Sequence, residues 1–65
     1  MFSIGEYVLN QKTGHIGKVI GYGHQILNDV YITTLKVLVD YSPAQGKRGV
    51  VKEDLCSAWV KWLDS

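Results

Sequence analysis

The residues of this chain that could bind a metal are few and widely spaced. His15 and His24 are nine positions apart, and the single Cys56 lies far from both. Structural zinc sites use closely spaced pairs of Cys and His ligands, and neither a C-x-x-C nor an H-x-x-x-H pattern occurs here. We therefore predict no metal site, and we interpret the two histidines as loop or strand-end residues.

Cys56 and the adjacent carboxylates Glu53 and Asp54 are the candidates for nucleophilic or acid–base chemistry. A catalytic thiol needs a base held beside it in a cleft, whereas the apolar neighbours of Cys56 predict a packed thiol. Adjacent carboxylates on a turn usually diverge, so Glu53 and Asp54 are poorly placed to act on one substrate. We predict a solvated turn in which Asp54 accepts hydrogen bonds from local backbone amides.

The glycines on either side of Tyr22 do not form a nucleotide-binding motif. Neither G-x-G-x-x-G nor G-x-x-x-x-G-K-[ST] is present, and no helix follows Gly23 to offer its N-terminus to a phosphate. We interpret Gly21 and Gly23 as turn residues. The sequence accordingly predicts no catalytic residue and no cofactor.

The aromatic residues point more clearly to a function. Seven Phe, Trp and Tyr residues in a chain of 65 are more than one small core can hold, because each ring buries roughly 150–250 Å². Trp59 and Trp62 are three positions apart, so in a strand they face opposite sides and one of them lies outside the core. Exposed aromatic residues beside an arginine are typical of protein interfaces. The predicted partner-binding surface therefore combines Tyr22, Tyr41, Trp59 and Trp62 with Lys47 and Arg48.

The charge of the chain bears on the kind of partner. Seven Lys and Arg against six Asp and Glu leave a formal net charge of +1. Lys47, Arg48 and Lys52 could contact phosphates while an aromatic residue stacks on bases, but balanced charge gives little long-range attraction to nucleic acid. We predict another protein as the partner, with nucleic acid as the alternative, and self-association into a homo-oligomer stays open.

Length and composition predict one globular domain over residues 1–65. Hydrophobic residues make up 46% of the chain and charged residues 20%, which is typical of a globular rather than a disordered chain. No apolar run is long enough to span a bilayer, the first residues do not resemble a secretion signal, and a lone thiol fits a reducing compartment. We expect a soluble cytoplasmic protein that does not enter a membrane.

Five short β-rich segments separated by turn residues predict an all-β fold. The predicted strands are 6–9, 16–22, 30–40, 48–52 and 57–62, with turns at 10–14, 28–29 and 42–47 and a 3-10 turn at 53–55. A helix is the competing interpretation of residues 55–63, although Trp and Val favour a strand. Gly14 is expected at positive φ, and the odd positions of the third strand are expected to face inward. The predicted core is Val8, Ile16, Val19, Leu35, Val37, Val39, Val50 and Leu55.

The pattern of glycines and apolar residues resembles a five-stranded SH3-like barrel. The matching stretches are Gly5-Glu6-Tyr7-Val8, Gly14-His15-Ile16-Gly17-Lys18-Val19 and Gly49-Val50-Val51-Lys52-Glu53-Asp54-Leu55. The G-x-x-G-x-V part is similar to the KOW motif of ribosomal and transcription-elongation proteins. The opening stretch is also similar to the RNA-polymerase-interacting domain of CarD-type regulators. The predicted fold is therefore a five-stranded SH3-like barrel with the short 3-10 turn before its last strand. The resemblances imply a partner that is RNA, a ribosomal protein or RNA polymerase.

Two further groups of small barrels bear on the function. Some similar small barrels are stromal or cytoplasmic subunits of photosynthetic electron-transfer complexes. The plasmid-encoded type II dihydrofolate reductase has a similar length and glycine layout, but its Val-Gln-Ile-Tyr motif is missing from the corresponding stretch, Gly49-Val50-Val51-Lys52. We therefore predict a non-catalytic protein-binding module or accessory subunit of a larger assembly. The alternative is a KOW-type module associated with nucleic acid, the ribosome or RNA polymerase.

Overall fold

The computed structural model describes residues 2–62, and these residues form one antiparallel β-sheet. The strands are β1 Tyr7–Asn10, β2 Ile16–Leu27, β3 Val30–Ser42, β4 Lys47–Leu55 and β5 Trp59–Lys61. Their order in the sheet is β4-β3-β2-β1-β5. The predicted all-β fold is confirmed. Because β4 and β5 are the two ends of this order and do not pair with each other, the described sheet is open and not a closed barrel.

Two short 3-10 turns interrupt the second half of the chain. Pro43–Gln45 precedes β4, and Cys56–Ala58 precedes β5. A 3-10 turn was predicted at 53–55, but these residues continue β4, because they pair with Lys36, Leu35 and Thr34 of β3. The strand interpretation of the last segment is confirmed for Trp59–Lys61. Position 63 of the competing helix lies outside the described residues.

The longest element is the hairpin formed by β2 and β3. Asn28 and Asp29 connect the strands with φ angles of 51° and 63°, the left-handed conformations that a tight two-residue hairpin turn requires. The predicted turn is therefore in the right place. However, β2 does not end at Tyr22 as predicted, because its pairing with β3 continues to Leu27 opposite Val30. The register shifts between Val19 and Gly21, which marks a bulge in β2.

The core lies on one face of the sheet, under the N-terminal segment and the Cys56–Ala58 turn. Leu35, Val37 and Val39 are buried at alternate positions of β3, which confirms the predicted inward face for these residues. The other odd positions, Tyr31 and Thr33, are exposed. The core residues are Val8, Val19, Leu35, Val37, Val39, Ala58 and Trp59, with Phe2 and Cys56 packed against them.

Two of the predicted core residues are not buried. Ile16 is 41% exposed and Val50 is 52% exposed. Gly17 and Val19 are buried on one face of β2, and Ile16 lies on the opposite face, since successive residues of a strand face opposite sides. Val50 lies on β4 at the edge of the sheet, where the strand has a neighbour on one side only. Leu55 is half-buried.

A close backbone approach explains one glycine of β2. A Cβ atom on Gly17 would overlap the carbonyl oxygen of Leu38 and lie 2.7 Å from Val37 Cγ1. Gly17 pairs with Val8 on one side and Val39 on the other, so it sits between core residues of β1 and β3. The described residues include no helix with the length and hydropathy needed to cross a membrane.

Candidate partner-binding site

The two adjacent carboxylates face different neighbours, as predicted. Glu53 accepts a hydrogen bond from the hydroxyl of Thr34. Asp54 accepts one from the backbone N–H of Leu55, at 2.8 Å, which confirms the predicted local backbone bond. Asp54 also accepts a hydrogen bond from Asn10 Nδ2 at 3.1 Å. These carboxylates therefore do not converge on one substrate position.

Asp54 is a structural carboxylate. The hydrogen bonds from Asn10 and Leu55 stabilise its charged form and lower the pKa of this carboxyl below its usual value, and Lys12 adds to the effect. Its oxygen lies 3.5 Å from Lys12 Nζ. A general base works best with a pKa near the operating pH. The lowered pKa therefore fits a structural role for Asp54 better than a role in acid–base catalysis.

The remaining candidates for chemistry are also separated. His24 makes an edge contact with Tyr31, with ring centroids 5.2 Å apart and an interplanar angle of 71°. Cys56 is half-buried against the core, which confirms the packed thiol. Among residues 2–62, no three His, Cys, Asp or Glu side chains form a group that could hold a metal ion.

The sheet face opposite the core carries a cleft of about 410 Å³, which we call the Tyr41 cleft. Antiparallel pairing builds its floor, because Lys18 is opposite Tyr7 on one side and opposite Leu38 on the other. Residues opposite each other in neighbouring strands share a face. The cleft is lined by Tyr7, Ile16, Gly17, Lys18, Leu38, Asp40 and Tyr41.

The Tyr41 cleft combines apolar walls with one charge of each sign. Tyr41 is 59% exposed and Ile16 is 41% exposed, so apolar surface is open to a binding partner. Lys18 Nζ lies 5.8 Å from the centre of the Tyr7 ring, within the range of a cation–π contact. Asp40 supplies the negative charge. An arrangement of this kind favours an apolar group flanked by polar atoms over a bare anion.

Asp40 takes a backbone conformation that is unusual inside a strand. Its φ is 58°, and Gly49 at the facing position of β4 has a φ of 82°. A left-handed conformation at a residue other than glycine costs of order 1 kcal/mol or more, and such residues concentrate at functional sites. Asp40 lines both the Tyr41 cleft and a second, shallower depression of about 470 Å³.

Three of the predicted site residues come together at this end of the sheet. Arg48 is opposite Tyr41, and Lys47 is opposite Ser42. Lys47 and Arg48 line the shallower depression with Asp40, Gly49 and Val50. The turn predicted at 42–47 contains the 3-10 turn Pro43–Gln45, between the ends of β3 and β4. The structure thus joins Tyr41, Lys47 and Arg48 into one aromatic and basic rim.

The other three predicted site residues lie elsewhere. Trp59 is 3% exposed and belongs to the core, so it is removed from the predicted binding surface; the Cys56–Ala58 turn directs it inward as β5 begins. Tyr22 is opposite Leu35, roughly 20 Å along β3 from Tyr41 at about 3.3 Å per residue. Trp62 is half-buried, and its backbone N–H donates to the carbonyl oxygen of Tyr7 at 3.0 Å. Its backbone therefore lies beside the cleft.

Six of the seven cleft residues, all except Tyr41, were not predicted as site residues. Ile16 was assigned to the core, and Tyr7 and Lys18 were noted only as part of the stretches that resemble an SH3-like barrel. The signal that could have found them is the alternation in β2, where exposed Ile16 and Lys18 alternate with buried Gly17 and Val19. Comparison of the chain with protein-family models, with curated proteins and with solved structures gave no match.

Proposed function

We propose that this chain is a non-catalytic protein-binding module or accessory subunit of a larger assembly, and that it holds its partner in the Tyr41 cleft. The observation that carries the proposal is an open, largely apolar cleft on the sheet face opposite the core, with exposed Tyr41 at its rim. Exposed aromatic residues with an arginine beside them are characteristic of binding hot spots. Arg48 occupies that position, opposite Tyr41.

The proposal includes an SH3-like arrangement of the strands. Its support is the order β4-β3-β2-β1-β5, in which the last strand pairs with the first, and the 3-10 turn Cys56–Ala58 directly before β5. In this arrangement the Tyr41 cleft lies on the outside of the curved sheet. Binding surfaces on a rigid sheet are well suited to a partner that is recognised without a large conformational change.

The chemistry of the cleft favours a protein over a nucleic acid. Its single cation, Lys18, lies against the Tyr7 ring, and Asp40 adds a negative charge between the cleft and the basic rim. A phosphate backbone would approach that carboxylate. A partner protein can instead place an apolar side chain in the cleft while a neighbouring backbone N–H donates a hydrogen bond to the Asp40 carboxylate.

A KOW-type module that binds nucleic acid is the second candidate, and the rim is the observation in its favour. Lys47 and Arg48 are exposed beside Tyr41, so phosphates and one stacked base could be held together. Such binding weakens steeply as salt rises: each phosphate contact lowers the binding constant by roughly one logarithmic unit for a tenfold increase in salt concentration. A partner held by the apolar cleft would show a shallow salt dependence.

The experiment is affinity capture from the native host with immobilised protein, at low and high salt, with and without nuclease. The test variant is Tyr41→Ala. Its matched control is Tyr31→Ala, which removes a tyrosine that is 70% exposed at the other end of β3. A third variant replaces Lys47 and Arg48 by Ala. Binding of a labelled single-stranded RNA to each protein is measured by fluorescence anisotropy at the same two salt concentrations.

The proposal expects a protein that is retained at high salt after nuclease treatment, lost from Tyr41→Ala and kept by Tyr31→Ala. Truncation of a hot-spot residue costs about 2 kcal/mol or more, so we expect Tyr41→Ala to weaken binding at least 30-fold. A partner that both tyrosine variants retain would overturn the assignment to this cleft. Tight RNA binding that disappears with Lys47 and Arg48 and falls steeply with salt would establish the second candidate instead.

A further inference from the structure

One side of β2 lacks a neighbouring strand over most of its length. β1 pairs with β2 only at Ile16–Lys18, and the backbone bonds of Val19 to Gly5 and Glu6 end this contact. From residue 20 to residue 27, no described backbone group pairs with this side of the strand. We call residues 20–27 the free β2 edge.

The free β2 edge belongs to a hairpin that projects from the rest of the sheet. On the other side, β4 covers β3 only as far as the pair Thr34–Leu55, so residues 24–33 pair only with one another. The long dimension of the molecule is 43 Å, against 23 and 20 Å for the others, and its radius of gyration is 12.2 Å. A compact chain of this length has a radius of gyration of roughly 10.7 Å. A two-stranded hairpin is marginally stable by itself in water, so a covering partner would stabilise it.

The other edges of the described sheet are charged or short, and the free β2 edge is neither; the uncovered side of β3 spans only residues 30–33. Natural edge strands are protected by charges, by proline or by short length. β4 carries Lys47, Arg48, Lys52, Glu53 and Asp54, and β5 has three residues including Lys61. The free β2 edge has neither a charged residue nor a proline. Its exposed apolar residues are Ile20, Tyr22, Ile26 and Leu27, which are 42%, 38%, 60% and 44% exposed.

The chemistry of the projecting hairpin excludes two kinds of partner. No Lys or Arg occurs between Lys18 and Lys36, so the hairpin has no cation for a polyanion such as nucleic acid. Insertion into a bilayer would place the unpaired backbone groups of the edge in hydrocarbon, where each costs several kcal/mol. The turn at its tip also carries Asp29. The partner must offer backbone hydrogen bonds and apolar side chains together, and another β-strand edge does so.

We propose that the free β2 edge pairs with the same edge of a second copy of this chain, antiparallel about a two-fold axis. An antiparallel pair of identical edges is complementary by symmetry. With the axis at His24, Tyr22 of one copy is opposite Ile26 of the second copy. Both residues share the face that carries Tyr31, because Ile26 is opposite Tyr31 and Tyr22 is opposite Leu35. The pairing therefore places Tyr22 and Ile26 of both copies on the sheet face that carries the core.

The geometry also limits the assembly to two copies. Among residues 2–62, each copy has one long unprotected edge, and the pairing uses both, so a third copy is left only the four-residue side of β3 at 30–33. The contact involves seven residues of β2 per copy, which corresponds to an interface below about 1,200 Å² in total, the size of weak and transient complexes. We therefore expect a weak dimer whose population rises with protein concentration.

This proposal is independent of the proposed function. The free β2 edge and the Tyr41 cleft lie at opposite ends of the hairpin, and the measurements below need no partner. Failure to dimerise would leave the capture experiment unaffected, and failure of the capture experiment would leave the dimer measurable.

The experiment is sedimentation equilibrium of the full chain at roughly 5 to 500 µM, a range that brackets micromolar association. The test variant is Ile26→Lys, which places a charge on the edge. Its matched control is Val51→Lys on β4, because Val51 is 51% exposed and lies on the charged edge. A second variant, Gln25→Glu, adds like charges close to the two-fold axis with little change in side-chain shape. Circular dichroism and thermal melting verify that each variant is folded.

We expect the apparent mass of the wild-type chain to rise from 7.3 kDa to twice that value with concentration. Ile26→Lys and Gln25→Glu should each raise the dimer dissociation constant at least tenfold, and Val51→Lys should leave it unchanged. Amide hydrogen exchange in residues 21–27 should slow in the concentrated sample and not in the dilute one. A wild-type chain that stays monomeric throughout, or a dimer that Ile26→Lys and Val51→Lys affect equally, would overturn the proposal.

Discussion

The side-chain amide of Asn10 donates a hydrogen bond of 3.1 Å to a carboxylate oxygen of Asp54, although β1 and β4 are not neighbours in the sheet. The contact shows that the sheet curls far enough to bring the end of β4 to the first turn. Asn10 is only 2% exposed. Its Oδ1 accepts hydrogen bonds from the backbone N–H groups of Lys12, at 2.8 Å, and Thr13, at 3.1 Å. One side chain thus holds the first turn together and joins it to β4.

We expect Asn10→Ala to destabilise the protein more than a typical surface substitution. The change removes a hydrogen bond to a charged group and leaves the two turn amides without their acceptor. A hydrogen bond to a charged group contributes about 1.5–3 kcal/mol, so a loss of about 2–3 kcal/mol is expected. Urea unfolding followed by tryptophan fluorescence measures it. Gln11→Ala, at the exposed neighbouring position, is the control, and an equal loss there would contradict the assigned role.

The Asp54 contact makes stability depend on pH in the acid range. The hydrogen bonds from Asn10 and Leu55 lower the pKa of Asp54 in the folded state. Its contribution is complete above the unfolded pKa of about 3.9 and is lost as the pH falls through the lower folded value. We expect Asp54→Asn to be less stable than wild type at pH 7, with a difference that shrinks below about pH 4. Unfolding curves from pH 2 to pH 7 measure this, and a difference that stays constant over the range would refute it.

Two glycines of β2 should respond oppositely to the same substitution. Gly17→Ala forces a methyl group against the Leu38 carbonyl and within 2.7 Å and 2.8 Å of the Val37 and Val39 methyls. Overpacking of this kind typically costs about 1–3 kcal/mol. Gly21→Ala meets no atom within 4 Å. It should be neutral or stabilise the protein by up to about 1 kcal/mol, because alanine lowers the conformational entropy of the unfolded chain. Thermal melting of both variants tests the pair.

Side-chain truncation on β3 and β4 should distinguish a core residue from a residue of the edge strand. Leu35 is fully buried and Val50 is 52% exposed. Leu35→Ala should cost about 2–5 kcal/mol, because it leaves a cavity in a small core. Val50→Ala should change stability by less than about 0.5 kcal/mol. Equal losses in chemical denaturation would show that Val50 is packed as the sequence predicted.

The sequence alone is enough to predict the elements of this fold whose signals are local. The alternation around Leu35, Val37 and Val39 identifies the inward face of β3, and Asn28-Asp29 identifies the hairpin turn. The sequence gives no comparable signal for the length of β2, because residues 23–27 combine a glycine, two polar residues and two apolar ones. Their strand conformation depends on pairing with residues 30–34 of β3.

The candidate site could be predicted only in part, for a similar reason. Tyr41, Lys47 and Arg48 are close in sequence on the two sides of one turn, so their proximity follows from the hairpin that joins β3 to β4. The cleft beside them needs Tyr7 and Ile16 from distant segments, and their position depends on register. Because Ile16 is apolar, the sequence predicts a core residue. Its pairing with Leu9 places it on the other face of the sheet. The burial of Trp59 rather than Trp62 depends on the direction in which the Cys56–Ala58 turn delivers the chain.

The order in which the strands are joined has a consequence for the folding kinetics. β2, β3 and β4 are connected by short turns and can pair progressively from those turns, whereas β5 must find β1 across the whole chain, with Val8 opposite Lys61. Closing so long a loop costs conformational entropy, so this contact forms slowly. We expect Leu35→Ala to slow folding, and we expect Ala58→Gly, in the 3-10 turn directly before β5, chiefly to speed unfolding. Stopped-flow chevron analysis distinguishes the two effects. The lifetime of the native state would then be set by the docking of β5, a strand of three residues.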